Sequence, residues 1–402
     1  MQNERPWFLN PGVVFYSTWL GVWFLYSLHL SRVLIYPSNT VSRLEFPLLA
    51  GFLPFLLITY LIPHKTVPAR ASNPGEMAAR LDKKLRSWLF VWIGITCIEV
   101  VFSGGIPILW TLTGSSKTYF DFGIPTLHGF MNALILSISV TRFALGLQNG
   151  KKKDLFFPAL MLVWTLVVET RQLIIVVLLE CTFLFLMYRR IRARQLFYVL
   201  GVMLLFVVIF GVSGDIRSGG EAFRQLAQPT DQYPNWLPSG FLWVYIYMTT
   251  PLNNLVNTWV NVLPLNDLTM PNTFAQLIPT AVRTLFGLHG DSMTWSGDLV
   301  TEAFNVSTAY VGAVQDLGIW GVLGFSGFAA FSTGIYWMKR GMRNNLIYAV
   351  LGQCLFLTIF FNHFFFLPII VQIIWIYVFF AEPSQKAVGI KELPERSTVH
   401  SV

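Results

Sequence analysis

Long apolar runs recur along the whole chain, and no other feature limits its fold as much. The runs are roughly 17 to 23 residues long, and a helix of that length, rising about 1.5 Å per residue, crosses a hydrocarbon core of about 30 Å. Only 12% of the residues are charged and 54% are hydrophobic. That charged fraction is about half of the fraction usual in soluble domains. We therefore expect an all-α, polytopic membrane helix bundle.

Basic clusters between the runs indicate which loops face the cytoplasm. Lysine and arginine collect after the second, fourth, sixth and eighth runs, around Lys83, Lys152, Arg190 and Arg340. Loops rich in these residues stay on the cytoplasmic side by the positive-inside rule. The net charge of +8 is therefore a topology signal, and we expect no nucleic-acid partner. The predicted location is a bacterial inner membrane, with membrane lipids as partners and both termini in the cytoplasm.

The runs and the clusters together predict about ten transmembrane helices. The first run begins near Gly12 without a small-residue cleavage site, so we expect a retained anchor. The chain divides into a bundle of seven spans at 1–212, a long periplasmic loop at 213–315, three more spans in 316–381 and a cytoplasmic tail at 382–402. The spans are expected at 12–34, 46–63, 87–103, 126–147, 155–168, 172–188, 195–212, 316–338, 346–361 and 364–380.

The long loop contains one further apolar segment, at 241–263. If this segment crossed the membrane, the basic loop at Lys339 would lie outside, so we expect a re-entrant or surface-lying helix. Thr250 and Pro251 have the pattern of an N-cap and a first-turn proline. Asn253 and Asn257, followed by Asn261, would share one face of this helix, where they are candidates for binding a glycan.

Ionisable residues inside or just beyond predicted spans are candidates for function. The run at 155–168 is short, and fourteen residues rise only about 21 Å, so Glu169 and Arg171 are expected below the outer surface. Placing an ionisable side chain at that depth in the membrane costs free energy, so a functional role is the first hypothesis for such a residue. The alternative for Arg171 is contact with lipid headgroups or a structural ion pair. Glu99 and Glu180 lie inside spans, and we expect each to pair with a polar partner.

Arginines in the long loop suit a pyrophosphate ligand. Arg217 and Arg224 are about two helical turns apart, although Gly219 and Gly220 interrupt a simple helix. A guanidinium presents a rigid fork of donors to phosphate oxygens and stays charged at physiological pH. The alternative is ordinary contact with lipid headgroups.

The most polar stretch beside a span contains Arg283, His289 and Asp316. A histidine with a pKa of about 6.5 can take a proton from a sugar hydroxyl, so His289 is a candidate base, although a plain hydrogen-bonding role fits equally well. Asp316 opens the eighth predicted span and either orients an arginine or caps the helix. Tyr247 and Tyr310 are candidates for contacting a glycan, while an interfacial belt is the commoner use of such aromatic residues.

Several motifs are absent from the sequence. It has no Asp-x-Asp, no phosphate-binding glycine loop, no dinucleotide fingerprint and no histidine or cysteine metal spacing. Cys97, Cys181 and Cys354 lie inside apolar runs. We therefore expect no metal and no cofactor, and we favour a lipid-linked donor whose pyrophosphate is stabilised by arginine.

Six segments resemble the O-antigen polymerases, the Wzy-type oligosaccharide repeat unit polymerases. The resemblance covers most of the chain after about residue 95, and the order and placement of the segments carry it. The segments are EVVFSGGIPILW, YFDFGIPTLHGF, ETRQ, GDIRSGG, WVYIYMTTPLNNL and FNVSTAYVGAVQDLGIWG.

The resemblance implies a GT-C-like, metal-independent glycosyltransferase. Its substrates would be undecaprenyl-pyrophosphate-linked glycans, joined at a site facing the periplasm, and a Wzz-type chain-length regulator would be a partner. His289 or a carboxylate near it would activate the acceptor hydroxyl, and Glu169 and Asp316 are the candidate catalytic carboxylates. The arginines that would bind pyrophosphate are Arg171, Arg217, Arg224 and Arg283.

The chain departs from the family in one respect, and other functions stay open. Some members have a glycine eleven positions after an outer-loop arginine, but Gln228 and Asn235 stand at those positions here, so a paired-loop catch-and-release scheme is not supported. An O-antigen ligase would share the architecture and the donor. A polysaccharide flippase or transporter would carry charge through several spans. A membrane acyltransferase would need a catalytic pair centred on a histidine at a span end, for which either His128 or His363 is a candidate.

Overall fold

The chain folds into helices throughout the part that the structure describes. The structure is a computed structural model. Its described residues contain no strand, only an isolated antiparallel bridge between Ser31 and Pro229, so the all-α prediction is confirmed for them. They are 5–34, 51–60, 74–189, 197, 201, 204–205, 208, 220–234, 236–237, 239–286, 297–302 and 304–381.

The helices are numbered in chain order. Those of the first half are α1 Pro11–Ser27, α2 Gly51–Tyr60, α3 Pro74–Ser103, α4 Pro107–Thr113, α5 Leu127–Asn149, α6 Lys152–Leu155, α7 Phe157–Val167 and α8 Arg171–Tyr188. Those of the second half are α9 Gly220–Ala227, α10 Ser239–Asn261, α11 Pro271–Phe274, α12 Thr280–Leu285, α13 Val311–Leu317, α14 Ile319–Met338, α15 Met342–Phe356 and α16 Leu367–Phe380.

Three helical stretches among the described residues are long and apolar enough to cross a membrane. They are Gly75–Thr113, which contains α3 and α4, Leu127–Asn149 and Ile319–Met338. Shorter apolar helices lie at Gly51–Tyr60, Gln172–Tyr188 and Leu367–Phe380. Length and composition thus fit a membrane protein, and these helices coincide with predicted spans. Most of the predicted span 195–212 lies outside the described residues.

Helix α5 forms the centre of the bundle. Of the 18 consecutive residues that are most apolar in α5, 89% are buried. The corresponding fraction in the stretch that contains α3 is 17%. Polar groups join it to its neighbours. The Ser137 hydroxyl lies 3.2 Å from the Gln372 carbonyl oxygen of α16, and the Gln372 amide donates to both carboxylate oxygens of Glu180 on α8, at 3.0 and 2.8 Å. Such bonds hold apolar helices together where water is excluded.

Residues from separate basic clusters meet at one end of the bundle, which we call the basic end. Arg5 donates to the carbonyls of Tyr336 and Trp337 at 2.7 and 2.6 Å, in the last turn of α14. A cation is favourable there because the last carbonyls of a helix are unsatisfied and carry negative charge. Contacts by other cations at this end are Lys84 with Val378, Arg142 with Asp82 and Asp154, and Arg189 with Leu147.

Loop contacts define the opposite end. Ala281 N donates to Thr126 Oγ1 at 3.1 Å, before the start of α5. The Asn362 amide donates to the Thr273 carbonyl at 3.2 Å, and Ala309 N donates to the Thr358 carbonyl at 2.8 Å. At the end of α1, the Ser31 hydroxyl donates to the Ala227 carbonyl at 2.6 Å. Segments from distant parts of the sequence therefore meet here.

The N-cap predicted at Thr250 is wrong, although the predicted segment 241–263 is helical over most of its length. Helix α10 begins at Ser239 and continues through Pro251 without stopping. The Thr249 and Thr250 hydroxyls donate to the carbonyls four residues earlier, Tyr245 and Ile246, at 2.7 and 2.8 Å. Hydroxyl bonds of this kind, to the carbonyl one turn earlier, are common for threonines inside helices. The threonine that was expected to cap the helix therefore lies in its interior.

The predicted position of Asp316 at the opening of a span is also wrong. Asp316 lies in the last turn of α13, and α14 begins only at Ile319. Gly318 breaks the helix with φ +58° and ψ −131°, a backbone conformation that favours glycine. Gly321 then allows α14 to pass directly against the Ala313 carbonyl oxygen. The two glycines fold α13 back beside α14, so the carboxylate does not lie at the start of the span.

Candidate functional site

A cavity of about 150 Å³ lies between α11, α13 and the turn that connects α15 to α16. No charged side chain of the described residues lines it. Phe360 and Phe361 contribute apolar surface. The principal polar groups are amides and hydroxyls, from Asn272, Gln276, Asn305, Ser307, Thr308 and Asn362. Such groups donate and accept hydrogen bonds without charge, so they suit a neutral polar ligand.

Asp316 holds the α11 wall of this cavity in place. Its Oδ1 accepts from the backbone N–H and the side-chain amide of Asn272, at 3.1 and 2.8 Å. Its Oδ2 accepts from the backbone N–H and the hydroxyl of Thr273, at 2.8 and 2.7 Å. The carboxylate is fully buried, and both of its oxygens accept hydrogen bonds from the α11 residues. These contacts are those of a residue that positions a loop.

Gly312 allows α13 to pack directly on the same wall. A Cβ at this position would lie 2.9 Å from the Asn272 carbonyl oxygen and 3.0 Å from Thr273 N. The Phe274 ring of α11 also packs edge-on against Phe365, with centroids 4.7 Å apart. Contacts with α13 and with Phe365 therefore fix the position of α11, which forms one wall of the cavity.

A buried oxygen at the cavity, Gln276 Oε1, accepts no hydrogen bond from any of the described residues. A buried acceptor left unsatisfied costs about 1–3 kcal/mol. A ligand hydroxyl that donates to this oxygen would recover that cost, so Gln276 is a candidate for ligand binding.

A second cluster at the same end joins a carboxylate to a histidine. Glu99, near the end of α3, is fully buried, and its Oε2 lies 3.2 Å from His128 Nδ1 near the start of α5. Asn132 Nδ2 lies 2.9 Å from His128 Nε2. Trp164 Nε1 donates to Asn132 Oδ1 at 3.4 Å. Four side chains from three helices thus form a continuous chain of hydrogen bonds.

The segment before α5 wraps closely around this pair. Gly123 N donates to the Ser103 hydroxyl at 2.8 Å, and Ile124 N donates to Glu99 Oε1 at 3.3 Å. Gly123 has φ +89°, and a Cβ there would lie 2.6 Å from the His128 ring. Only glycine fits both the conformation and the space. The Phe122 ring meets the His128 ring edge-on, with centroids 5.1 Å apart.

Helix α12, which contains Arg283, contacts the residue just before α5. The bond from Ala281 N to Thr126 Oγ1 fastens α12 next to the first turn of α5, two residues before His128. Thr126 has φ +72°, which is unusual and strained for a residue with a Cβ. Arg283 is half-buried, and burial lowers its pKa from the ordinary value. Since α12 begins four residues after Gln276, it connects the cavity to the carboxylate–histidine pair.

The other predicted catalytic and arginine residues are placed as follows. Glu169 is half-buried in the turn between α7 and α8, with φ +56°. Arg171 begins α8, and its side chain lies outside the described residues. Arg224 is half-buried on α9, which docks by stacking Phe223 on Trp243 of α10. Arg224 and Arg283 therefore lie on helices with different neighbours. Arg217 and His289 lie outside the described residues.

The side chains predicted to bind a glycan make contacts within the protein. The Asn253 amide donates to the Tyr26 hydroxyl at 2.8 Å, and the Asn257 amide donates to Asp298 Oδ2 at 3.0 Å. Tyr310 is buried, and its hydroxyl accepts from the Ser326 hydroxyl at 2.8 Å. Tyr247 stays 42% exposed and stacks on Trp243. A glycan-binding role for these residues stays a prediction.

The sequence did not single out the cavity or the link between Glu99 and His128. The cavity residues are uncharged amides and hydroxyls from separate segments, and no spacing connects them. Glu99 was expected to find a polar partner, and the structure confirms this for Glu99 and for Glu180. The glycines of the segments SGGIP and FGIPTLHG were the available signal, because glycines next to a histidine often mark a close approach.

Among the described residues, no group of three or more histidine, cysteine, aspartate or glutamate side chains is arranged to hold a metal ion. Comparisons of the chain with protein-family models, with curated proteins and with solved structures found no match. The resemblance to O-antigen polymerases therefore rests on the six segments quoted above.

Proposed function

We propose that the chain polymerises undecaprenyl-pyrophosphate-linked oligosaccharide repeat units on the periplasmic face of a bacterial inner membrane. In this proposal the helices form a GT-C-like bundle of about ten spans. The growing glycan leaves its lipid pyrophosphate and is joined to the non-reducing end of the next lipid-linked unit. No metal takes part.

The uncharged cavity is the main observation that supports the proposal. Sugar hydroxyls donate and accept hydrogen bonds without charge, and amide and hydroxyl side chains are their natural partners. A cavity of about 150 Å³ is small, and it suits one sugar residue of a longer glycan. Gln276 Oε1 would accept from one of its hydroxyls, and Phe360 would contact its apolar face.

The position of the cavity supports the proposed side of the membrane. The cavity is lined by Asn362 and Thr273, which meet at the end opposite Arg5, Lys84 and Arg189. By the positive-inside rule the basic end faces the cytoplasm. The cavity then opens towards the periplasm, where a lipid-linked glycan is found after it has crossed the membrane.

Arg283 supports a pyrophosphate leaving group at the same end. It is half-buried on α12, and Ala281 of the same helix bonds to Thr126 just before α5. A guanidinium in a partly desolvated site stabilises developing negative charge more strongly than it would in water. The resemblance adds Arg171, Arg217 and Arg224 as further pyrophosphate ligands. Asp316 acts in this proposal as a positioning residue, because its four bonds hold the cavity wall.

Reconstitution tests the proposal. The purified chain in liposomes, supplied with a synthetic lipid-linked repeat unit, is expected to produce a ladder of longer lipid-linked glycans. Transfer of units across the bilayer without any new glycosidic bond would indicate a flippase instead.

Deletion in cells separates the polymerase from the ligase. Loss of long sugar chains with single-unit caps retained on lipopolysaccharide indicates a polymerase, whereas loss of both indicates a ligase. A ligase would also need lipid A core as the acceptor in the liposome assay, so the two assays check each other.

A further inference from the structure

The hydrogen bonds around His128 determine which of its nitrogens is basic. An indole N–H only donates, so Trp164 Nε1 must face the oxygen of Asn132, at 3.4 Å. The Asn132 amide nitrogen then faces His128 Nε2, at 2.9 Å. Because that nitrogen donates, Nε2 accepts, and the ring proton is on Nδ1. Nδ1 donates to Glu99 Oε2 at 3.2 Å, so the lone pair of Nε2 points away from the carboxylate.

This arrangement has the parts of a general base. The Glu99 side chain is 1% exposed and holds the ring from the inside of the bundle, while the His128 side chain is 21% exposed. A buried carboxylate behind Nδ1 fixes the tautomer and stabilises the imidazolium that forms when Nε2 takes a proton. Asn132 donates to the same lone pair that an incoming hydroxyl would use, so the hydroxyl can replace it.

Strain and close packing surround the histidine. Thr126 adopts φ +72° and Gly123 approaches the ring so closely that no side chain fits. Lys117 reaches over the neighbouring segment, with Nζ 2.7 Å from the Ser103 carbonyl oxygen and 5.4 Å from the Trp110 ring centre. Strained backbone of this kind clusters at functional sites, which favours a functional role for the histidine beside it.

We propose that His128, held by Glu99, is the general base that takes the proton from the acceptor hydroxyl during polymerisation. The inference rests on the proposed function and names its base. As the acceptor oxygen bonds to the anomeric carbon of the donor, its proton moves to His128 Nε2. The bond from the anomeric carbon to the phosphate oxygen breaks, and its electron pair leaves with the lipid pyrophosphate. His128 then returns the proton to water, and Asn132 bonds to Nε2 again.

The decisive variant is His128→Gln, compared with wild type in the liposome assay. It is expected to lower kcat about 100-fold or more, within the range for loss of a general base, with the KM for the lipid-linked unit within about threefold. Glu99→Gln is expected to lower kcat in the same way, because Glu99 acts through the ring. Glu180→Gln is the matched control: it is also a buried glutamate bonded to an amide, and it should retain the wild-type rate.

Chemical rescue separates catalysis from structure. In His128→Ala the space of the ring is left for a small base, so added imidazole is expected to restore part of kcat in this variant and to leave Glu180→Gln unchanged. Melting temperature and binding of the lipid-linked unit show whether each variant is folded. A folded His128→Gln with the wild-type rate overturns the proposal, and so does a His128→Ala variant that binds substrate but is not rescued.

The comparison with His289→Gln completes the test. If His289→Gln loses turnover while His128→Gln keeps it, His289 is the base and the inference is wrong. If wild type produces no elongated glycan at all, the proposed function fails, and the result is distinct from a failure at His128.

Discussion

Thr273 donates to Asp316 Oδ2 with both its backbone N–H and its hydroxyl, at 2.8 and 2.7 Å. The two residues are far apart in the sequence, and this contact joins α11 to α13 at the edge of the neutral cavity. Together with the two bonds from Asn272, it makes Asp316 the residue on which the cavity wall depends.

Asp316→Asn should destabilise the protein by about 2 kcal/mol or more. The amide nitrogen of asparagine cannot accept a hydrogen bond, so the substitution would leave two buried donors unsatisfied. The melting temperature in detergent measures this. Asp267→Asn is the control: Asp267 also accepts from the N–H and hydroxyl of a threonine, Thr269, at 2.9 and 2.8 Å, but in an exposed loop where water replaces the lost bonds. Equal melting temperatures for the two variants would contradict the role given to Asp316.

Gly312→Ala should lower stability by about 1–3 kcal/mol, as overpacking does, because the new methyl group meets the Asn272 carbonyl. It should also raise the KM for the lipid-linked unit, since the wall must move. Gly327→Ala on α14 is the control, because a Cβ there meets nothing within 4 Å. That variant should be neutral or slightly more stable, since alanine is a better helix former than glycine. A Gly312→Ala protein as stable as wild type would show that α11 can move away from α13 without a cost in free energy.

Gln276→Leu should raise the KM about 5- to 15-fold, which is about 1–1.5 kcal/mol for one hydrogen bond to a ligand, with little change in kcat. Leucine is close in size but cannot accept from a sugar hydroxyl. Gln225→Leu on the exposed face of α9 should leave both constants unchanged. Unaltered kinetics in Gln276→Leu would remove this side chain from the glycan site.

Arg283→Lys should lower kcat/KM about tenfold or more, because an ammonium group cannot reproduce the fork of donors that a pyrophosphate receives from a guanidinium. Arg32→Lys is the control at the same end: Arg32 is exposed and bonds only loosely to Asp231, at 3.4 Å. The same substitution at Arg171 or Arg217 should also impair turnover. Wild-type rates in the Arg283 variant would count against a pyrophosphate role.

His363 should make the protein less stable in acid. It is buried between Gln172 Nε2, 2.9 Å from its Nε2, and Gln353 Nε2, 2.6 Å from its Nδ1, and burial lowers its pKa to about 3. The unfolded chain, with a histidine pKa of about 6.5, binds this proton first as the pH falls. The stability that His363 contributes is therefore complete above about pH 6.5 and is lost progressively towards pH 3.

The measurement compares the melting temperatures of wild type and His363→Gln at pH 7.5 and pH 5. Wild type should lose about 2 kcal/mol more than the variant over this interval, from about 1.4 kcal/mol per pH unit below 6.5. His29→Gln, at an exposed position, should follow wild type. Parallel pH curves for wild type and His363→Gln would show that the buried ring is not responsible.

Local sequence patterns determined the positions of the helices. Apolar runs give the same signal wherever they occur, so the spans predicted at 126–147 and 364–380 match α5 and α16 closely. Two of the predicted basic clusters contribute Lys84 and Arg189 to the basic end, and the side of the membrane that this end faces stays a prediction. Hydrophobicity and charge are properties of the individual residue and its neighbours in the chain, so they can be recognised without knowledge of the fold.

Only the tertiary structure decided which side chains meet. Glu99 and His128 come from different helices, as do Thr273 and Asp316, and Gln276 lines a cavity to which a distant turn contributes Asn362. Hydrogen bonds between such groups depend on how the helices pack. A break such as the one at Gly318 changes the direction of a helix through a backbone conformation that cannot be predicted from residue composition. The sequence therefore determined a chain of apolar helices, compatible with a membrane, while the cavity and the carboxylate–histidine pair exist only through packing.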